Sequence, residues 1–193
     1  MTIVDDASTD DTFNVVNKTI DSLPSNIRDK FSAVRNKKNI GAVANQFFYF
    51  CSDDKAINMI VDGDDWLVND PTIFDRYNNL YHEGAEFTYG SCWSIVDNIP
   101  LIAQEYPPEI KRNRTYRDYK FNWNMPYTHL RTFSGKLVEN LKAEDLQDQD
   151  GNWYRAGGDT AIFYKLLESA DPDKVVCMTD IVYNYNDAHP LYE

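Results

Sequence analysis

Short apolar runs alternate with segments of helical periodicity along the first half of the chain. Residues 2–4, 31–34 and 56–61 are predicted strands, because β-branched and other apolar residues stand together there between polar turns. Apolar positions recur every three or four residues over 13–23 and 43–51, as on the buried face of a helix. The order strand, helix, strand, helix, strand predicts an α/β domain with a parallel sheet.

The rest of the chain is less regular. Its predicted elements are a helix after Pro71, strands at 87–89, 175–178 and 181–183, and helices at 134–141 and 159–168. Residues 98–128 contain four prolines among aromatic and basic residues, which predicts mostly loop. Arg112, Arg114 and Arg117 make this the one locally basic stretch, and either phosphate binding or simple solvation explains it.

The composition excludes several classes of protein. With 193 residues, 42% of them hydrophobic, the chain is long enough for a packed core. A formal charge of −12 argues against a nucleic-acid partner, since such proteins carry a basic face. The three cysteines stand far apart, which argues against a disulfide framework. Without a signal peptide or an apolar run long enough to cross a bilayer, we expect a cytoplasmic protein with no transmembrane segment.

Three carboxylates follow the most apolar predicted strand. Residues 62–65 have the sequence Asp-Gly-Asp-Asp and come directly after Ile60 and Val61. In open α/β sheets ligands bind at the carboxyl ends of strands, and clustered carboxylates repel one another unless a cation neutralises them. We expect Gly63 to allow the tight turn through which its neighbours converge. The motif predicts a metal or ligand site, and a solvated Asp-Gly turn is the alternative.

A second acidic segment follows the first predicted strand. Asp5 and Asp6 stand at a strand-to-helix turn, where carboxylates can bind a nucleotide base or a ribose. Ser8 and Asp11 are spaced as in a capping box and are predicted to begin the next helix. The alternative is that all of these acids serve only as favourable charges at a helix N-terminus.

These segments, taken together and in order, resemble a known family. Residues 3–10, 39–45 and 60–67 are similar to successive motifs of family 2 glycosyltransferases with the GT-A fold, the last of them containing the Asp-x-Asp motif. Residues 129–133, 158–161 and 183–186 resemble segments of a bacterial and viral branch of that family. The resemblance covers nearly the whole chain.

The resemblance implies a fold and an activity. The fold is a GT-A-like, Rossmann-type sheet with helices on both faces, in a single domain whose residues 1–90 bind the nucleotide and whose residues 91–193 face the acceptor. The activity is that of a hexosyltransferase-like enzyme. It transfers a sugar from a UDP- or GDP-sugar to a hydroxyl of a glycan, lipid or protein acceptor, with inversion.

The resemblance also implies roles for individual residues. Asp5 and Asp6 face the nucleotide base, and Asp62 faces the ribose. Asp64 holds Mn²⁺ or Mg²⁺, which bridges the donor diphosphate and stabilises the leaving group. His189 joins the metal as a second ligand, with a loose surface histidine as the alternative.

Further roles concern the second half of the chain. By the same resemblance, Asp159 is the general base that takes the proton of the acceptor hydroxyl, and a helix cap is the alternative. His129 is assigned to packing or to the acceptor side. Trp123, Tyr127 and Trp153 either stack on sugar faces or pack against their neighbours.

The chain departs from the family pattern at two places. The residue before Asp159 is Gly158, where the family usually has an acid. The family also begins with a strand and a helix ahead of the Asp-Asp strand, so we expect an N-terminally truncated fold that lacks a unit of roughly 30 residues. Three explanations stay open: a longer gene product, a sheet closed by pairing 2–4 with 57–61, or a strand supplied by another subunit of a homo-oligomer.

Two other functions remain alternatives. A non-catalytic or degenerate domain that binds a nucleotide or a sugar accounts for the same motifs without turnover. A sugar nucleotidyltransferase shares a similar sheet, but it usually has a glycine-rich basic phosphate loop near the start, and none is visible.

Overall fold

The computed structural model describes residues 1–119, 128–186 and 188. The strands are β1 (Thr2–Asp5), β2 (Ser32–Arg35), β3 (Ile57–Ile60), β4 (Trp66–Leu67), β5 (Phe87–Ser94), β6 (Ile99–Leu101), β7 (Thr128–Ser134) and β8 (Val175–Tyr185). The α-helices are α1 (Thr12–Ser22), α2 (Ser25–Arg28), α3 (Ala42–Tyr49), α4 (Ile73–His82), α5 (Pro108–Asn113), α6 (Gly135–Val138) and α7 (Gly158–Ser169).

The chain forms two compact units, which are described separately. The first unit consists of Met1–Phe50 and Lys142–Ile162, and the second of Cys51–Leu141 and Phe163–Glu193. The assignment of residues 1–90 to the nucleotide and 91–193 to the acceptor concerns function and stays a prediction.

The first unit contains a two-stranded parallel sheet. β1 pairs with β2 from Thr2 opposite Ser32 to Asp5 opposite Arg35, and α1 and α2 form the connection between the two strands. A parallel pair requires such a crossover, because the chain must return to the same end of the sheet. The predicted strand–helix–strand order is confirmed for this part of the chain.

The second unit is built on a six-stranded mixed sheet. Its order is β3-β7-β5-β8-β4, and β6 pairs with β5. β5 and β8 run parallel. The other four pairs are antiparallel: β3 with β7, β5 with β7, β4 with β8, and β5 with β6. The architecture is therefore α/β, as predicted, but the expected parallel sheet is mixed in this unit.

Helices cover both faces of this sheet. Thr132 of β7 bonds through its hydroxyl to Tyr81 of α4, while Arg131 and Phe133 lie against the ring of Phe163 from α7. Successive residues of a strand point to opposite faces, so these contacts place α4 and this part of α7 on opposite sides. The core on the α4 side contains Ile73, Tyr77, Cys92, Leu130, Val182 and Tyr183.

Two sequence predictions are corrected by the strands of this sheet. The segments predicted as separate strands at 175–178 and 181–183 are one strand, β8, whose register to β5 shifts between Tyr89 and Ser91. Such a bulge interrupts the alternation of side chains and makes one strand look like two in the sequence. The helix predicted over 134–141 is only the short α6, because β7 continues to Ser134 and the N–H groups of Asn140 and Leu141 bond three residues back, to Leu137 and Val138, as in turns.

Residues 98–119 are more ordered than the predicted loop. They contain β6, α5 and a 3₁₀ turn at Tyr116–Asp118. The prolines fit these elements. Pro100 lies in β6, which among the described strands pairs only with β5, and Pro108 occupies the first turn of α5, where its missing N–H is not needed. None of the described helices has the length and apolar character needed to cross a membrane.

Candidate metal centre

A tight turn follows β3 and sets the positions of the three acids predicted as a ligand site. The N–H of Asp65 donates to the carbonyl oxygen of Asp62 at 3.1 Å, which closes a β-turn over residues 62–65. Asp62 and Asp65 are the ends of this turn, whereas Asp64 is one of its two central residues. This explains why the end carboxylates approach each other and the central one is set apart.

Gly63 is not required for this turn in the way the sequence indicated. Its φ lies outside the left-handed region, and a Cβ built on it would meet no atom within 4 Å. The expectation that glycine freedom closes the turn is therefore wrong, because the backbone conformation here is one that other residues adopt.

Asp62 and Asp65 form a group with His129 of β7. Each of the three offers one ligand atom, and these atoms all lie within 4.8 Å of one another. Asp62 and Asp65 are half-buried, and His129 is only 8% exposed. Two carboxylate oxygens and an imidazole nitrogen form a donor set that suits Mn²⁺ and, through the oxygens, Mg²⁺.

Asp65 is held by two hydrogen bonds from β8 and the residue after it. The Tyr183 hydroxyl donates to Asp65 Oδ2 at 2.7 Å, and the N–H of Asn186 donates to Oδ1 at 2.7 Å. Burial raises the pKa of Asp65, and the nearby Asp64 carboxylate adds to this, although both hydrogen bonds oppose the rise. A cation beside Asp65 would relieve the cost of its buried negative charge.

His129 is enclosed by aromatic rings and a guanidinium. Its ring stacks on Tyr183 and Tyr185, with centroid distances of 4.7 and 5.2 Å. Nη2 of Arg131 lies 3.2 Å from His129 Nδ1 and 3.4 Å from Nε2. Burial, and then the Arg131 charge, lower the pKa of His129 well below 6.5, so the imidazole is neutral at pH 7.

The three residues differ in how well they fit a divalent cation. Asp62 and Asp65 fit, since carboxylate oxygens at the two ends of one turn converge. A neutral imidazole has only one nitrogen lone pair, so His129 cannot accept a hydrogen bond from Arg131 and ligate a metal at the same time. His129 can therefore act as a third ligand only when Arg131 moves away from it.

In the first unit, Asp5 and Asp6 hold the structure around them. Asp5 accepts from the N–H of Ser8 at 2.9 Å and lies 3.2 Å from Arg35 Nε. Asp6 accepts from the N–H groups of Ile40 and Gly41 at 2.9 and 2.7 Å. Burial acts to raise the pKa of Asp6, but these bonds, together with the side-chain interactions of Asn36 and Asn45, outweigh it and leave the pKa below its usual value. The predicted contact of both acids with a nucleotide base stays a prediction.

The other predicted site residues have different settings. Asp159 lies in the first turn of α7, where its carboxylate accepts from the N–H of Thr160 at 2.7 Å, so its role as a base stays a prediction. Trp153 packs against Phe47 and Phe48. Arg117 forms a bidentate ion pair with Glu168. The predictions for Trp123, Tyr127 and His189 concern positions outside the described residues.

Ser8 does not have the capping role that the sequence predicted. Helix α1 begins at Thr12, its N-cap residue is Asp11, and no side-chain hydrogen bond caps it. The Asp11 carboxylate instead accepts from the side-chain amide of Asn14.

Three residues of the site received no metal role from the sequence. Asp65 was part of the acidic motif but was not chosen as a ligand, and a β-turn assignment would have paired it with Asp62. His129 and Arg131 belong to a segment that resembles the family, yet nothing local indicates that β7 lies beside β3. Only long-range pairing, from Ile57 opposite Ser134 to Ile60 opposite Arg131, brings them together.

Comparisons with known proteins leave the family open. No protein-family model matches the chain. No curated protein matches it either.

Proposed function

We propose that the protein is a metal-dependent glycosyltransferase that passes a sugar from a UDP- or GDP-sugar to an acceptor hydroxyl. The observation that supports it is the convergence of Asp62 and Asp65, with His129 beside them, at the end of β3. This is where the motif resembling the Asp-x-Asp motif of family 2 glycosyltransferases stands. The proposal includes the finer fold assignment, a GT-A-like sheet, and a cytoplasmic location with a glycan, lipid or protein acceptor.

The chemistry that the proposal requires of the second unit is the binding of one divalent cation. A bound Mn²⁺ or Mg²⁺ supplies positive charge to the diphosphate that leaves the sugar. Asp62 and Asp65 would hold that ion through their carboxylate oxygens, and the Tyr183 and Asn186 hydrogen bonds orient Asp65. The rings of Tyr183 and Tyr185 stack on His129 and keep it fixed beside the turn.

The roles of the remaining candidates follow from the resemblance alone. Asp64 as a metal ligand, Asp5 and Asp6 at the base, and Asp159 as the acceptor's proton acceptor are parts of the proposal. Each of these roles has to be tested with a variant of that residue alone.

Calorimetry of UDP and GDP binding, with and without Mn²⁺, tests the proposal. We expect binding that requires Mn²⁺ and that weakens at least about tenfold in Asp62→Asn and in Asp65→Asn, since each removes one charged ligand. Asp54→Asn is the matched control, because Asp54 is an exposed acid of the same unit and the charge change is identical.

The outcomes separate the candidate functions. Metal-dependent binding followed by hydrolysis of a UDP- or GDP-sugar without acceptor supports a transferase. Metal-dependent binding with no hydrolysis of any donor above background indicates the non-catalytic binding domain. Binding that is absent, or equally strong without Mn²⁺, contradicts the proposal.

A further inference from the structure

Tyr183 joins the hydrophobic core of the second unit to its acidic turn. The residue is fully buried, and its ring belongs to the core that contains Ile73, Leu130 and Val182. A tyrosine in such a place needs a partner for its hydroxyl, because an unsatisfied buried hydroxyl costs free energy. Its two partners among the described residues both lie in the turn at residues 62–65.

The hydroxyl makes two hydrogen bonds that differ in direction. It accepts from the N–H of Asp62 at 3.1 Å and donates its one hydrogen to Asp65 Oδ2 at 2.7 Å. The two ends of the turn are therefore tied to a single oxygen atom. Because the ring is packed in the core, that oxygen is fixed, and it fixes the separation of the two ends.

The ring of the same residue contacts the third member of the group. The rings of Tyr183 and His129 stack with nearly parallel planes, at an interplanar angle of 13°. One side chain thus touches Asp62, Asp65 and His129.

We propose that Tyr183 is the positioning residue of the cation site, and that its hydroxyl, bonded to the Asp62 backbone N–H and to the Asp65 carboxylate, keeps the two acids in the spacing that a divalent ion requires. This inference rests on the proposed function, in which those carboxylates bind the ion. The Asp65–Asp62 backbone bond still closes the turn when the hydroxyl is removed, so the loss falls on the Asp65 side chain. Neighbours that orient a metal ligand typically change affinity by about 10- to 100-fold.

The test is a titration with Mn²⁺ followed by electron paramagnetic resonance, which measures the free ion. Tyr183→Phe removes the hydroxyl and keeps the ring, and we expect it to weaken Mn²⁺ binding about tenfold or more. Tyr77→Phe is the matched control. Tyr77 lies in the same core, and among the described residues its hydroxyl has no hydrogen-bond partner, so this variant should bind Mn²⁺ as the unmodified chain does.

A third variant separates loss of the hydrogen bond in Tyr183→Phe from misfolding of that variant. With p-aminophenylalanine incorporated at position 183, an amino group replaces the hydroxyl and can still donate to Asp65. We expect this protein to bind Mn²⁺ nearly as tightly as the unmodified chain. If it binds weakly although its circular dichroism is unchanged, the hydroxyl position has no donating role and the inference is overturned.

The remaining outcomes distinguish this inference from the proposed function. Equal Mn²⁺ affinity in Tyr183→Phe and the unmodified chain overturns the inference and leaves the metal-dependent function standing. An unmodified chain that does not bind Mn²⁺ contradicts the proposed function, and the inference falls with it.

Discussion

His129 shows at the scale of one residue how the surroundings decide what a side chain can do. A histidine on the surface would be partly charged near neutral pH, but His129 is enclosed by Tyr183 and Tyr185 and lies beside Arg131. Its neutral form is a better metal ligand than an imidazolium. The same surroundings make its protonation costly for the folded protein.

Acid should therefore destabilise the second unit through His129. Its pKa is lowered in the folded state, first by burial and then by Arg131, so the unfolded chain takes up a proton first as the pH falls below about 6.5. We expect the free energy of unfolding, measured with urea in the presence of a chelator, to fall by up to about 1.4 kcal/mol per pH unit from this group. His129→Gln should lack that contribution.

The control for this measurement is His82→Gln. His82 is exposed at the end of α4, so its variant should keep the acid dependence of the unmodified chain. Identical slopes between pH 7 and pH 5 for the unmodified chain and His129→Gln would show that His129 is not held neutral by the fold.

Individual site residues were predictable only where the signal is local. The acids at 62–65 follow an apolar strand, and that pattern alone indicates a ligand site. Which two of the three acids converge depends on the hydrogen bond that closes the turn. The place of His129 depends on strand pairing over some 70 residues of sequence, for which a single sequence contains no pattern.

At the scale of elements, Gly63 in the turn after β3 and Gly135 in α6 differ in the space available for a side chain. A Cβ on Gly135, the first residue of α6, would lie 2.0 Å from the carbonyl oxygen of Asp53 and 2.7 Å from that of Cys51. Those atoms belong to backbone and cannot rotate away. A Cβ on Gly63 would meet nothing within 4 Å.

Gly135→Ala and Gly63→Ala should accordingly differ in stability. We expect Gly135→Ala to lower the free energy of unfolding by about 3 kcal/mol or more, because the backbone of residues 51–53 must move. Gly63→Ala should stay within about 0.5 kcal/mol of the unmodified chain. Urea denaturation of both variants checks this, and a Gly63→Ala variant as unstable as Gly135→Ala would show that the turn needs glycine after all.

Elements with a clear apolar pattern in the sequence were the most predictable. The periodicity of α1, α3 and α4, and the apolar runs of β1 to β3, place them within a few residues of their observed bounds. β7 was missed because His129, Leu130, Arg131, Thr132 and Phe133 are all buried, so the alternation that marks a half-exposed strand is absent. Arg131, a charged residue in the middle of β7, further weakens the strand pattern.

At the scale of the whole molecule, the acidic net charge influences where divalent cations gather. A formal charge of −12 attracts divalent cations to many places on the surface. The acids that resemble functional motifs also fall in different compact units, with Asp5 and Asp6 in the first and Asp62 and Asp65 in the second. An affinity alone therefore does not say where the ion lies.

The most direct measurement is anomalous diffraction from crystals of the chain grown with Mn²⁺ and UDP. We expect a manganese peak within coordination distance of the Asp62 and Asp65 carboxylates, with the Tyr183 hydroxyl still bonded to Asp65. If His129 is also a ligand, the Arg131 guanidinium will have moved away from it. A well-ordered manganese ion at other residues, or no peak beside Asp62 and Asp65 at saturating Mn²⁺, would contradict it.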